Sequence, residues 1–128
     1  MNSAIADLRI ATGYWYCASP YSLASNRDEA MRAVSIFVGK LWTAEVNAFS
    51  PIAHSHPIAL AADLTGDDHE TWMRRHRPMF ESAHGLIVAG MRGWKQSRGV
   101  TEEIQWAREL RKPRFLVDVE TLDWQALG

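Results

Sequence analysis

Two adjacent acids, Glu102 and Glu103, close the stretch GWKQSRGVTEE (93–103). Acids in a first helical turn ordinarily complement the helix dipole. At roughly 100° per residue, a helix over 100–111 separates the two. Val100, Ile104, Ala107 and Leu110 share an apolar face, and Glu103 falls within it. Glu102 falls beside Trp106 and Glu109, where solvent and the dipole account for it. A carboxylate aimed at a core is costly unless it is paired or used. Glu103 therefore either meets an Arg, a Tyr or a backbone amide, or it serves a function. The preceding Ser97-Arg98-Gly99 leads into the free amides of a helix N-terminus, which with a serine hydroxyl suit an anion. A phosphate held there leaves Glu103 one turn away, beside an attached sugar. S-x-G before a helix is common, so the spacing alone does not choose between these readings.

The elements that must position these residues alternate. YWYCAS (14–19) has strand character and ends at Pro20. Ser25 or Asn26 can cap a helix reaching about Val46, with Ala30, Val34, Phe37, Val38, Leu41 and Trp42 at helical spacing. AFSPI (48–52) reads as a short strand, and 53–70 as a long excursion with one short helix near 57–64. Residues 70–83 fit a helix that Pro78 kinks or splits. GLIVAGM (85–91) is the clearest buried strand, and RFLVDV (114–119) reads as the last one. Residues 1–11 read as a loose lead-in. The alternation implies a single α/β domain over 1–128. The expected architecture is a small three-layer sandwich on a parallel sheet of roughly four or five strands, flavodoxin-like or Rossmann-like. Ligands of such sheets sit at the carboxyl ends of the strands, near the reversal of strand order. The loops 19–26, 53–69 and 92–99 gather there.

Other residues have a functional and a plain reading side by side. Tyr21, Ser22, Asn26 and Arg27 can contact a ribose or phosphate, or Asn26 can cap a helix while Arg27 is solvated. His56, in His54-Ser55-His56, reads as a base contact or a structural residue. Two histidines fall short of the three or four ligands of a zinc site. Asp67, Asp68 or His69 could complete one, but nothing fixes their approach, so no metal is expected, and no cofactor is expected either. Trp94 can stack on a base. Trp42 and Trp106 read as core or interface residues, Cys17 as a small buried apolar residue, and Arg74, Arg75 and Arg77 as a solvated face.

Bulk properties narrow the partners. The 128 residues suffice for one core, and 47% hydrophobic with 23% charged residues is ordinary for a soluble protein. A formal net charge of -1 provides no field for a nucleic-acid polymer or an anionic membrane. No apolar run reaches the ~18 residues of a membrane span. The single cysteine and the lack of a signal-like N-terminus lead to the expectation of a cytoplasmic protein.

Three pieces, YWYCASPYS (14–22), Trp72 to His76 followed by GLIVAGM, and GWKQSRGVTEE, resemble the nucleoside 2-deoxyribosyltransferase family. The likeness extends to its nucleotide-hydrolysing relatives, the 2'-deoxynucleoside 5'-monophosphate N-glycosidases, especially a short bacterial and phage branch. It covers most of 14–118, and the pattern S-x-G-x-x-x-E is its most specific part. The resemblance implies that Glu103 attacks the anomeric carbon of a 2'-deoxyribosyl group and that Tyr16, or Tyr14 on the same strand face, touches this nucleophile. It implies that Ser97, the Gly99 amide and Arg98 hold a 5'-phosphate, and that Ser19, Pro20, Tyr21 and Arg27 of the first loop border the substrate. The family's leaving-base acid is an Asp, and His76 stands at the corresponding place. His76 as general acid, a surface His76, or Asp67 and Asp68 as substitutes all remain open. A small nucleotide or nucleoside is the implied ligand and a homodimer or larger assembly the implied state. A non-catalytic binder of a nucleotide-derived ligand is the rival expectation.

Overall fold

The computed structural model describes residues 4–21 and 26–128. Ser22 and Ser25, named above as a ligand contact and a cap, lie outside the described residues. The strands are β1 Trp15–Ala18, β2 Ala48–Phe49, β3 Gly85–Gly90, β4 Arg114–Asp118 and β5 Trp124–Ala126. The helices are α1 Arg27–Thr43, α2 Pro51–Ala61, α3 His69–Ser82 and α4 Arg98–Glu109, and a 3-10 turn at Ile5–Leu8 precedes β1. The strand order is β2-β1-β3-β4-β5, with β1 to β4 parallel and β5 antiparallel to β4. This is the flavodoxin-like order with its last strand reversed.

Crossover handedness explains the layering. From β1 the chain steps one way to β2 through α1, then back past β1 to β3 and on to β4 through α4. Right-handed connections running in opposite directions place their helices on opposite faces. One face accordingly packs Trp15, Cys17, Ile87 and Ala89 against Val34, Phe37, Val38 and Leu41 of α1. The other packs Tyr16, Ala18, Leu86 and Val88 against Phe80 of α3 and Val100, Ile104 and Ala107 of α4. The result is a three-layer α/β sandwich. Strand order reverses between β1 and β3, whose paired residues run from Trp15↔Gly85 to Ala18↔Val88.

Each helix opens on a side-chain cap. Asn26 Oδ1 accepts from the amides of Asp28 (2.9 Å) and Glu29 (3.2 Å). Ser50 Oγ accepts from Ala53 N at 3.0 Å, Asp68 Oδ1 from Thr71 N at 2.8 Å, and Ser97 Oγ from Val100 N at 3.3 Å.

The sequence reading of 48–64 needs correction. Only Ala48 and Phe49 form strand, because Ser50 caps a helix that starts at Pro51. Proline is favoured at the first helical position, where no amide bond is lost. The helix then continues through Pro57 to Ala61, and α3 likewise contains Pro78. Two elements were not expected. The turn at Ile5–Leu8 buries Leu8, whose carbonyl accepts from Trp15 Nε1 at 2.7 Å. β5 returns along β4, with Trp124 edge-on to Phe115 at 5.0 Å between ring centroids. Trp42 is not a core residue: it is 61% exposed on α1. Among the described residues no helix is long and apolar enough to cross a membrane.

Candidate active site

Glu103 lies in the first turns of α4 and faces the sheet, as its place in the apolar arc requires. It is 5% exposed, and its Oε2 accepts a hydrogen bond from the fully buried Tyr16 hydroxyl. The ambiguity between the two tyrosines of one strand face is thereby resolved. The Tyr14 hydroxyl instead donates to the Met79 carbonyl at 2.5 Å. Two-residue alternation gives both the same face, but Tyr16 is nearer the carboxyl end of β1, where a cavity opens.

Ser97, Gly99 and Glu103 line this cavity from α4. Ser19 and Tyr21 line it from the segment after β1, with Arg27 from α1 and Ser55 and His56 from α2. Asp67, His69, Trp72 and His76 complete it from α3 and the residues before it. The structure thus brings together ten of the residues singled out in the sequence as catalytic or substrate-binding: Tyr16 beneath Glu103, and Ser19, Tyr21, Arg27, His56, Asp67, His76, Ser97, Gly99 and Glu103 along the wall.

Three others lie apart from it. Pro20 is buried beside Gly93. Trp94 packs against the α3–α4 side of the core and borders a separate shallow groove with Met91, Gly93 and Lys95. Arg98 turns outward to Glu102 at 3.3 Å. The cavity also contains residues the sequence did not single out as ligand contacts. Trp72 was part of a recognised pattern, and its four-residue spacing from His76 puts both on one helix face, with ring centroids 6.2 Å apart. Ser55 carried no local signal; its Oγ lies 3.0 Å from His76 Nε2.

Burial sets the electrostatics. It pushes the Glu103 carboxyl up to about 8; the Tyr16 hydrogen bond opposes this and the nearby Glu102 charge adds to it. Burial, then the Glu103 charge, holds the Tyr16 phenol well above its ordinary value, so Tyr16 remains a donor. Burial and Glu103 likewise raise the Cys17 thiol, which makes it a poor nucleophile. His76 is lowered to about 4, by burial first and then by His54 and Arg75, and its ring is neutral near pH 7. Asp67 pairs with Arg75 at 2.8 Å, and Asp68 is occupied as the cap of α3. Glu102 is more than a solvated dipole partner. Its Oε1 lies 3.1 Å from His69 Nε2, close enough for an ion pair, although that nitrogen is not directed for a hydrogen bond.

His56 is 4% exposed and spans two partners. Its Nδ1 lies 2.6 Å from the Tyr21 hydroxyl and its Nε2 lies 2.6 Å from Asp28 Oδ1. Both ring nitrogens are therefore occupied, whereas His54 rests against Phe49, with ring centroids 5.5 Å apart. Among the described residues no group of three or more His, Cys, Asp and Glu gathers as a metal site. Ser19 Oγ is buried at the cavity wall without a hydrogen-bond partner among the described residues. The arrangement offers the N-terminus of α4 at one end, a buried carboxylate one helical turn on, and aromatic and imidazole groups along the rest of the wall.

Residues 13–119 match the family model described as Domain of unknown function (DUF1937). The chain belongs to that family. A comparison with curated proteins finds no match. The DUF1937 match spans every residue of the cavity named above and excludes the Ile5–Leu8 turn and β5.

Proposed function

We propose that the protein cleaves or transfers at the N-glycosidic bond of a 2'-deoxynucleoside 5'-monophosphate, or of the nucleoside, with Glu103 as nucleophile. The observation that carries this reading is the pairing of Glu103 with Tyr16 in the same cavity as the capped N-terminus of α4. A monophosphate at Ser97 and the Gly99 amide leaves the sugar about one helical turn, ~5.4 Å, further along, beside the carboxylate. The ionised form of Glu103, which grows as pH rises through about 8, then forms a C–O bond to the anomeric carbon. The C–N bond breaks with its electron pair on the base, and water or a second base resolves the ester. Tyr16 orients the carboxylate and opposes its protonation. Arg27 and the Ser19 hydroxyl, which has no hydrogen-bond partner among the described residues, supply further donors to sugar or phosphate. Self-association and a cytoplasmic location belong to the same reading; α1 exposes Ile36 and Trp42, which suit a second copy.

Incubation with a panel of deoxy- and ribonucleoside monophosphates and nucleosides tests it. Free base is expected with wild type and not with Glu103→Gln. No release from any panel member overturns it. Two observations favour the rival, a binding module for the same ligand class. His76 is neutral near pH 7 and Asp67 is tied to Arg75, so neither is poised to protonate a leaving base. A ligand that raises the melting temperature without turnover is the result expected of that module.

A further inference from the structure

The proposed chemistry lacks a proton for the departing base, and the structure holds a chain of groups able to deliver one. We propose that Asp28, His56 and Tyr21 form a proton relay in which the Tyr21 hydroxyl is the general acid for the leaving base. This inference rests on the N-glycosidic reading above.

Three observations converge on it. The contacts are continuous: Asp28 Oδ1 to His56 Nε2 is 2.6 Å, and His56 Nδ1 to the Tyr21 hydroxyl is 2.6 Å. The chain runs from solvent to the cavity. The Asp28 side chain is 71% exposed, the His56 side chain only 3%, and Tyr21 lines the same cavity as Glu103. The groups also approach from the right elements. Glu103 comes from α4, while Tyr21 and His56 come from the segment after β1 and from α2. A nucleophile and an acid that act on one glycosidic bond must flank it, and separate elements can place them so.

The proton balance is complete. Imidazolium Nε2–H donates to the Asp28 carboxylate, and Nδ1–H donates to the Tyr21 oxygen, which leaves the Tyr21 O–H free to point into the cavity. As the C–N bond breaks, that proton passes to the base and the Nδ1 proton passes to Tyr21. His56 is left neutral with Nε2–H still donating to Asp28, and once the base has gone Nδ1 regains its proton from cavity water through the Tyr21 hydroxyl. Burial raises the Tyr21 phenol above its ordinary value, with Asp28 adding and Arg27 opposing, so its hydroxyl is protonated when the base departs. The Arg27 guanidinium lies 5.4 Å from the Tyr21 ring centroid and supports the ring in place.

Two leaving groups separate this role from simple support. Full-length protein is assayed with the common deoxynucleoside 5'-monophosphates and with 4-nitrophenyl 2-deoxyriboside 5-phosphate, whose nitrophenolate departs without a proton. Tyr21→Phe and His56→Gln are expected to slow base release by about 10²-fold, the usual size of a general-acid effect. Nitrophenolate release falls by less than about tenfold, since that step bypasses the acid. Asp28→Asn, an exposed change that leaves the core intact, is expected to show the same imbalance in smaller measure. Equal slowing of both substrates by Tyr21→Phe overturns the relay while the glutamate mechanism stands. Full activity of Glu103→Gln, or no turnover of either substrate by wild type, overturns the N-glycosidic reading and the relay with it.

Discussion

At the level of single residues, Glu103 is where sequence and structure agree most closely, because the roughly 100° between successive helical residues turns it away from Glu102. Strand periodicity cannot choose between Tyr14 and Tyr16, which share a face; only their depth along β1 does. Nor can a local reading find Ser55 beside His76 or Asp28 beside His56, since both contacts join residues distant in sequence. The burial of Glu103 has a measurable consequence. Its folded-state value, about 8, lies above its ordinary 4.5. The folded state therefore holds the extra proton, and stability falls as pH rises from about 4.5 through 8. Glu103→Gln removes that loss. Its melting temperature is expected to match wild type near pH 5 and exceed it by several degrees at pH 9, at about 1.4 kcal/mol per tenfold change in protonation. A constant difference across pH would count against a buried carboxyl. His76 acts with the opposite sense. Its folded value of about 4 lies below 6.5, so its contribution is full above 6.5 and is lost as pH falls through 4. Acid unfolding followed by circular dichroism is expected to shift to lower pH in His76→Asn.

At the level of elements, α4 carries the phosphate end of the proposed site. In the sequence Ser97 reads as an anion contact ahead of a helix over 100–111; the structure also makes it the cap of a helix that starts at Arg98. Ser50-Pro51 likewise opens a helix, yet the apolar AFSPI run favoured a strand; cap and proline at the first helical position outweighed it. Ser97→Ala is expected to lower stability by about 1 kcal/mol through the lost cap. It also weakens monophosphates more than the matching nucleosides, which thermal-shift titration of both reads directly. Gly99 separates ligand space from folding more cleanly. A Cβ there would meet His69 Cε1 at 3.9 Å and Glu103 Oε1 at 4.0 Å, ordinary contacts that strain nothing. Alanine also favours helix over glycine by up to about 1 kcal/mol. Gly99→Ala is therefore expected to melt at or above the wild-type temperature while losing at least about tenfold in monophosphate affinity, since its methyl enters the space above the carboxylate. A large loss of stability would instead mean that Gly99 is required by the backbone.

At the level of the whole molecule, the alternation of helix and strand was enough to expect the sheet, its parallel core and the loops at its mouth. It did not reveal the flanks. β5 follows a return in which Leu122 takes φ +61, a conformation its residue type does not advertise, and the Ile5–Leu8 turn is a single turn. Both lie outside the family match, and they meet. Trp124 Nε1 donates to the Ala4 carbonyl at 2.8 Å, while the Gly128 carbonyl accepts from Arg108 at 2.6 Å and from Arg114 at 3.2 Å. The flanks thus close the β4 edge of a sheet whose cavity opens at the β1–β3 boundary. Stability and site should separate accordingly. Trp124→Ala removes the ring that packs on Phe115 and the bond to Ala4. A half-buried tryptophan of this kind is expected to contribute about 2 kcal/mol, or a melting temperature lower by roughly 8 °C. Ligand affinity measured well below that temperature stays at the wild-type level, because β5 pairs with β4 while the cavity lies at the β1–β3 boundary. Loss of affinity in step with stability would show that the β4 edge and the cavity move together, and that the family core does not hold the site by itself.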